Sequence, residues 1–291
     1  LVQNGSDKIG GSAVNATLST EGLAVTLVFV DATQGWLVTD NGTQDTAPTA
    51  KYVTATGGTI TCSGDYRIHT FTGPGALCVS CAGNPAGSAL VDYLVVGGGG
   101  GGGSAAPGNT GAAGGAGGFR ESPGTASGSY TVSPLGVSPA VALSVSVQPY
   151  TIQIGGGGPG GPSDSAKGVN GGLSSFSTIT SAGGGGGGSN GNRAGSPGGS
   201  GGGGAGGSYN QPGGSGNTPS VSPAQGTNGG NSSPGPSGSD GGSGGGGGAI
   251  EAGVFGTPSP ATSGRGGAGT TTSINGSSLA FAGGGGGGSY P

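Results

Sequence analysis

Few side chains in this sequence could carry out chemistry. It contains 1 histidine, His69, and 3 cysteines, Cys62, Cys78 and Cys81. Any Ser-His-Asp or Cys-His triad would need His69 as its base. Together the four residues could supply the ligands of a zinc site. However, His69 shares the face of an alternating segment with Arg67, which is typical of a surface position, and Cys62 and Cys78 suit small, half-buried strand positions. We therefore expect no catalytic residue and no metal site.

The remaining polar residues also argue against the common enzyme and nucleic-acid-binding classes. The aspartates are scattered in turn-like segments rather than paired as in glycoside hydrolases. The pattern Gly-x-Gly-x-x-Gly recurs only because glycine is abundant, and no helix-like segment follows it. The formal net charge is -4 without a basic stripe, and no apolar run approaches the ~20 residues of a transmembrane helix. We expect a protein that is not an enzyme, has no cofactor, binds no nucleic acid and does not insert into a membrane.

Glycine dominates the composition: 82 of the 291 residues are glycine and 19 are proline. Collagen is excluded because the glycines run consecutively, as at 97–103, 183–188 and 283–288. Disorder is disfavoured because only 6% of the residues are charged and because each of these runs ends in a serine. In the extended polyglycine II helix, with three residues per turn, backbone groups point sideways and can pair between close neighbours. The runs therefore predict a lattice of packed polyglycine II rods.

The segments between the glycine runs favour strands. Residues 24–30 have the composition of a buried strand and 36–39 of a returning strand, which predicts a hairpin. Residues 66–72 alternate as in a half-exposed strand. Further strands are predicted at 51–56, 59–62, 76–80, 90–96, 129–133, 141–154, 174–181 and 278–282. Because no segment has sustained helical periodicity, the predicted fold class is all-β.

These elements predict three regions. Residues 1–50 form an N-terminal β-hairpin collar or shaft-end segment, and residues 51–154 form a β-sandwich interrupted by the first glycine block, 97–118. Residues 155–291 form polyglycine II rods with connecting loops. The sequence has no methionine, so we expect the chain to be processed or to be a piece of a longer protein.

Two stretches carry a resemblance to a known group of proteins. Residues 57–103, which run from GGTITCSGDYRIHTF to DYLVVGGGGGGG, and residues 176–191, FSTITSAGGGGGGSNG, resemble the glycine-rich module of bacteriophage tail-fibre and other virion proteins. Residues 4–42 are similar to β-hairpin segments that end the shafts of phage appendages. The resemblance implies polyglycine II rods like those of phage tail-fibre adhesins, whose connecting loops contact the bacterial surface.

The resemblance therefore implies a phage tail-fibre or spike component, extracellular on the virion, that mediates host recognition and adsorption. Its partners would be other tail proteins and a bacterial surface receptor, either a glycan or an outer-membrane protein. The loops 189–197, 208–227 and 254–263 are the expected contact regions. The candidate receptor-binding residues are Tyr209, Asn210, Gln211, Arg193 and Phe255.

The apolar hairpin suggests how copies of the chain assemble. Tail fibres are usually homotrimers, and Trp36 and Phe29 are the expected oligomer-interface residues. Two other functions remain open at this point. The chain could be a purely structural virion protein of a shaft, collar or capsid decoration, or a cellular surface protein that forms fibres.

Overall fold

The computed structural model describes residues 1–2, 4–17, 25–40, 50–105, 110–126, 130–163, 165–191, 193–207, 210–234, 241–258 and 261–288. The described residues form strands and extended segments and no helix, which confirms the all-β prediction. None of them belongs to a helix that could span a membrane. The strands are β1 (Thr26–Asp31), β2 (Gly35–Asp40), β3 (Val53–Thr56), β4 (Thr59–Ser63), β5 (Tyr66–Thr70), β6 (Gly75–Ala82), β7 (Leu90–Val91), β8 (Leu94–Val96), β9 (Phe119–Glu121), β10 (Leu143–Ser144), β11 (Pro149–Gln153), β12 (Ser174–Phe176), β13 (Ile179–Ser181), β14 (Thr257–Pro258), β15 (Ala261–Thr262), β16 (Thr270–Thr272) and β17 (Leu279–Phe281).

Most predicted strands are present, but some segments are divided differently. The segments 90–96, 141–154 and 174–181 each contain two strands, namely β7 and β8, β10 and β11, and β12 and β13. One predicted strand is missing. The described residues 130–133 form no strand. The backbone there is bound by side chains instead of by a ladder: Ser133 donates its N–H to the Glu121 carboxylate at 2.9 Å, and Thr131 donates to Ser273 Oγ at 2.7 Å.

The chain divides into two compact units, of which unit 1 comprises Leu1–Thr56, Cys78–Val91 and Ser144–Pro149. The predicted N-terminal hairpin is confirmed there, because β1 and β2 pair antiparallel with Phe29 opposite Trp36. The segment that precedes the hairpin is also joined to it by backbone hydrogen bonds, since the Trp36 N–H donates to Lys8 O at 2.8 Å. Gly35 has a positive φ of 70°, and a Cβ there would lie 2.1 Å from Lys8 O, so only glycine fits this turn.

The prediction that 24–30 is a buried strand was wrong. Val28, Phe29 and Val30 are exposed, because a ladder of two strands leaves both of its faces open unless another layer covers them. In the same unit, β3 pairs antiparallel with the end of β6, where Thr56 lies opposite Cys78. Cys78 is exposed, as is Cys62 of the other unit, so the expectation that both are half-buried was also wrong.

Unit 2 comprises Gly57–Leu77, Asp92–Leu143 and Tyr150–Pro291. Its strand pairs are antiparallel: β4 with β5, β8 with β9, β12 with both β11 and β13, β14 with β15, and β16 with β17. Its apolar core is small and includes Phe119, Tyr93, Val95 and Ile152. Tyr150 and Phe176 meet edge to face with ring centroids 6.1 Å apart.

The rest of unit 2 is a set of extended, glycine-rich segments that bond to one another, here called glycine rods. Along the rod 199–205 every backbone N–H donates to another segment, at N···O distances of 2.7 to 3.0 Å. Successive N–H groups point in three different directions, and the direction repeats at every third residue. This is the repeat of an extended helix with three residues per turn. Residues 199, 202 and 205 donate to 183, 196 and 193; residues 200 and 203 donate to 116 and 113; residues 201 and 204 donate to 227 and 230.

Polar side chains add hydrogen bonds to the backbone of the rods. Ser243 Oγ accepts the N–H of Gly206 at 2.9 Å, and Ser200 Oγ donates to Gly248 O at 2.9 Å. Gln225 is only 1% exposed; its Oε1 accepts the N–H of Ala182 at 2.8 Å and its Nε2 donates to Pro219 O at 2.7 Å. Buried serine and glutamine are therefore part of the lattice, because a buried backbone group without a partner is costly.

The division of the sequence into three regions and the β-sandwich at 51–154 remain predictions.

Candidate ligand-binding surface

The predicted receptor-binding residues lie in different surroundings. Tyr209 lies outside the described residues. Asn210 is exposed, whereas Gln211 is half-buried and its backbone is held by Ser232, whose Oγ accepts the Gln211 N–H at 2.9 Å and whose N–H donates to Gln211 O at 2.9 Å. Of this tripeptide, Asn210 is therefore the described side chain most open to a partner.

Arg193 is half-buried and its guanidinium bonds within unit 2. It donates to Gly206 O at 3.2 Å through Nη1 and to Asn190 Oδ1 at 3.1 Å through Nη2. Its carbonyl oxygen accepts the N–H of Ala205 at 2.7 Å. Arg193 thus holds neighbouring segments together, and a receptor-binding role for it stays a prediction.

Phe255 lies on the surface in a shallow cleft, here called the Phe255 cleft. The side chain is 61% exposed. The cleft has a volume of about 350 Å³. It is formed by parts of three glycine rods, and its lining residues are Gly213, Gly214, Ser215, Asn228, Gly229, Asn231, Ala252, Gly253 and Phe255.

Two asparagines provide the polar groups of the Phe255 cleft. Asn231 Oδ1 accepts the N–H of Gly213 at 3.0 Å, and Asn228 Oδ1 accepts the N–H of Gly216 at 2.8 Å. These bonds orient both carboxamides through their oxygen atoms. Neither side-chain NH₂ group donates a hydrogen bond to any described residue, so both remain available to a ligand.

The lining of the cleft contains no ionisable side chain. The nearest charged residue along the chain is Glu251, next to Ala252, and it forms an exposed ion pair with Arg265. The hydrogen bond from Arg265 lowers the pKa of the Glu251 carboxyl and raises the pKa of Arg265 itself. The cleft therefore presents an aromatic ring and neutral amide donors rather than a charge.

The cysteines and the histidine do not form a metal site among the residues whose placement is given. No group of three His, Cys, Asp or Glu residues there could hold an ion. His69 Nδ1 lies 2.8 Å from Gly57 O, and Cys62 pairs with Arg67 across β4 and β5. All three cysteines are free thiols.

The two predicted oligomer-interface residues lie side by side on the hairpin of unit 1. Their rings meet edge to face with centroids 5.5 Å apart, and Phe29 is 48% and Trp36 39% exposed. The pair is thus an apolar surface on a two-stranded ribbon.

Phe255 is among the residues predicted from the sequence, whereas Asn228 and Asn231 are not. The spacing of the two asparagines is the available signal, since residues three apart lie on the same side of a helix with three residues per turn. Recognising it requires knowing that 225–233 is an extended rod, which its side-chain pattern does not indicate.

Comparison with known families agrees with the composition and the rods. The model of the glycine-rich domain family matches residues 79–291, which is well over half of the chain, and the chain therefore belongs to this family. No curated protein and no solved structure matches it.

Proposed function

We propose that this chain is a component of a phage tail fibre or spike, located on the virion outside the cell, and that it recognises the bacterial surface during adsorption. In this proposal the glycine rods are polyglycine II helices, and the receptor is a glycan or an outer-membrane protein. The resemblance of residues 57–103 and 176–191 to phage glycine-rich modules motivates the proposal.

The observation that carries the proposal is the hydrogen bonding of the rods. Because every N–H of the rod 199–205 is bonded to a neighbouring segment, in three directions in turn, such a rod is held in place from several sides. Segments presented by a rigid scaffold lose little conformational entropy when they bind. Exposed residues between and along the rods, such as Asn210 and Phe255, would contact the receptor.

The hairpin of unit 1 supports assembly as a homotrimer. An exposed apolar pair on a ribbon of two strands gains most when other copies cover it, because such a ribbon is marginally stable alone. Phe29 and Trp36 would then lie at the interface between copies, and other tail proteins would adjoin the trimer.

The same hairpin also favours the second candidate, a purely structural role in a shaft or collar, since assembly needs no receptor. Cryo-electron microscopy of the source particle separates the two. We expect density for this chain at the distal end of a tail appendage, with the Phe255 cleft facing outward. Density along a shaft, on the capsid or in a free fibre would refute the recognition role and leave a structural one.

A further inference from the structure

The Phe255 cleft places an exposed aromatic ring beside neutral amide groups. Only 5% of the residues of the chain are aromatic, yet Phe255 lies largely exposed with Val254 and Ala252 also exposed beside it on the same rod. A solvated phenylalanine costs free energy unless a partner covers it. The cleft around it is about 350 Å³, near the lower end of the range for small-molecule sites.

The polar groups of the cleft are held in position before any ligand arrives. The Asn228 and Asn231 oxygens are bonded to the backbone N–H groups of Gly216 and Gly213, which orients both carboxamides. With a rise of ~3.1 Å per residue, the backbone positions of Asn228 and Asn231 are about 9 Å apart along one side of the rod. Two amide donors carried at such positions can bond different hydroxyl groups of one elongated ligand.

From this arrangement we infer that the Phe255 cleft binds a neutral saccharide. The face of a sugar ring is lined with C–H groups, which suit the negative face of an aromatic ring, and its hydroxyl oxygens accept hydrogen bonds from amide NH₂ groups. Ser215, exposed at the margin of the cleft, adds a hydroxyl that can donate and accept. An acidic sugar is disfavoured because the lining contains no cation.

This inference deepens the proposed function, because it names the ligand class and the residues of a recognition site. The inferred site differs in location from the loops that the sequence predicts as contact regions. The binding groups lie along the sides of three rods, and only Phe255 was among the candidates from the sequence.

The test is a titration of the ¹⁵N-labelled chain with neutral disaccharides, namely lactose, cellobiose, maltose and N,N′-diacetylchitobiose, with sialyllactose as the acidic comparison. We expect at least one neutral sugar to shift the side-chain amide signals of Asn228 and Asn231. Phe255→Ala should weaken its binding by about tenfold or more, and Phe255→Tyr should retain it. Tyr52→Ala is the matched control, because Tyr52 is 65% exposed and lies in unit 1.

Asn228→Asp separates binding from a structural role. The carboxylate still accepts the N–H of Gly216 but has no NH₂ group to donate, so we expect weaker saccharide binding at an unchanged melting temperature. The inference is wrong if no neutral sugar shifts the two amide signals, if sialyllactose binds in preference, or if Phe255→Ala binds as the unchanged chain does.

The outcomes also keep this inference apart from the proposed function. If the chain adheres to host cells and Phe255→Ala adheres equally well, recognition stands and the Phe255 cleft is not its site. If the cleft binds a saccharide while the chain is located along a shaft of the particle, the saccharide site stands and host recognition at a fibre tip does not.

Discussion

The rods 199–205 and 283–288 have similar sequences and opposite surroundings. In the first rod every N–H is bonded, and an added Cβ at Gly201 would lie 1.8 Å from Gly214 O. In the second, the N–H groups of Gly284 and Gly287 are bonded to Gly267 and Gly264, but those of Gly283 and Gly286 have no described partner. A Cβ at Gly286 would meet nothing within 4 Å. Glycine is thus a strict steric requirement at Gly201, whereas at Gly286 a methyl group has room, although Gly284 of the same rod is enclosed, with an added Cβ 2.1 Å from Gly246 O.

The comparison teaches that a glycine run predicts a rod but does not predict how much each glycine contributes. The contribution depends on how many neighbouring rods surround the residue. A central rod forms hydrogen bonds to neighbours in all three directions around its axis, whereas a peripheral rod has no neighbour in one of them. Substitutions that add a single methyl group can measure this difference.

Gly201→Ala should have the largest effect. The new methyl group would overlap backbone atoms of the neighbouring rod, which cannot move aside as a side chain can, so we expect a loss of about 3 kcal/mol or more in unfolding free energy. Chemical denaturation followed by circular dichroism would measure it. A change below about 1 kcal/mol would mean that the rods are packed more loosely than described.

Gln225→Ala tests whether buried side chains complete the lattice. It leaves the N–H of Ala182 and the carbonyl of Pro219 without their present partner, and we expect a loss of about 2 kcal/mol. Gln225→Glu keeps an oxygen for Ala182 but loses the donor to Pro219, and should also destabilise. If both variants unfold at the same denaturant concentration as the unchanged chain, the lattice does not depend on this side chain.

Gly286→Ala should not lower the free energy of unfolding, in contrast to Gly201→Ala. The methyl group would point into open space, and alanine lowers the entropy of the unfolded chain, so we expect a gain of about 0.5 kcal/mol or no change. Gly156→Ala, on another exposed rod with nothing within 4 Å, is the matched control and should behave alike. A large loss at Gly286 alone would contradict the description of this rod as peripheral.

The smallest effect is expected at the Glu251–Arg265 ion pair. Because the pKa of Glu251 is lowered in the folded chain, the folded state binds fewer protons than the unfolded state. The contribution to stability is therefore present above the unfolded pKa and is lost as the pH falls through the folded pKa. Arg265→Gln should return the Glu251 pKa toward its ordinary value, measured by carboxyl NMR titration, with little change in melting temperature because the pair is exposed.

Much of the local structure could be predicted because it depends on neighbouring residues. The turn at Gly35 and the β-branched residues around it were sufficient to predict the β1–β2 hairpin, and the long glycine runs were sufficient to predict extended segments. The exposure of Val28 and Phe29 could not be predicted, since it depends on which layer covers the ribbon. The absence of a strand at 130–133 could not be predicted either, because it depends on Glu121 and Ser273, which are distant in the sequence.

By itself the sequence determined the all-β class, the extended form of the long glycine runs and the scarcity of chemically reactive residues, because each follows from composition and local pattern. Only the tertiary structure decided which glycines are enclosed, and that Asn228 and Asn231 border Phe255. A rod of three residues per turn turns each successive residue toward a different neighbour. The role of every residue in such a rod is therefore determined by segments far away along the chain, which no local pattern identifies.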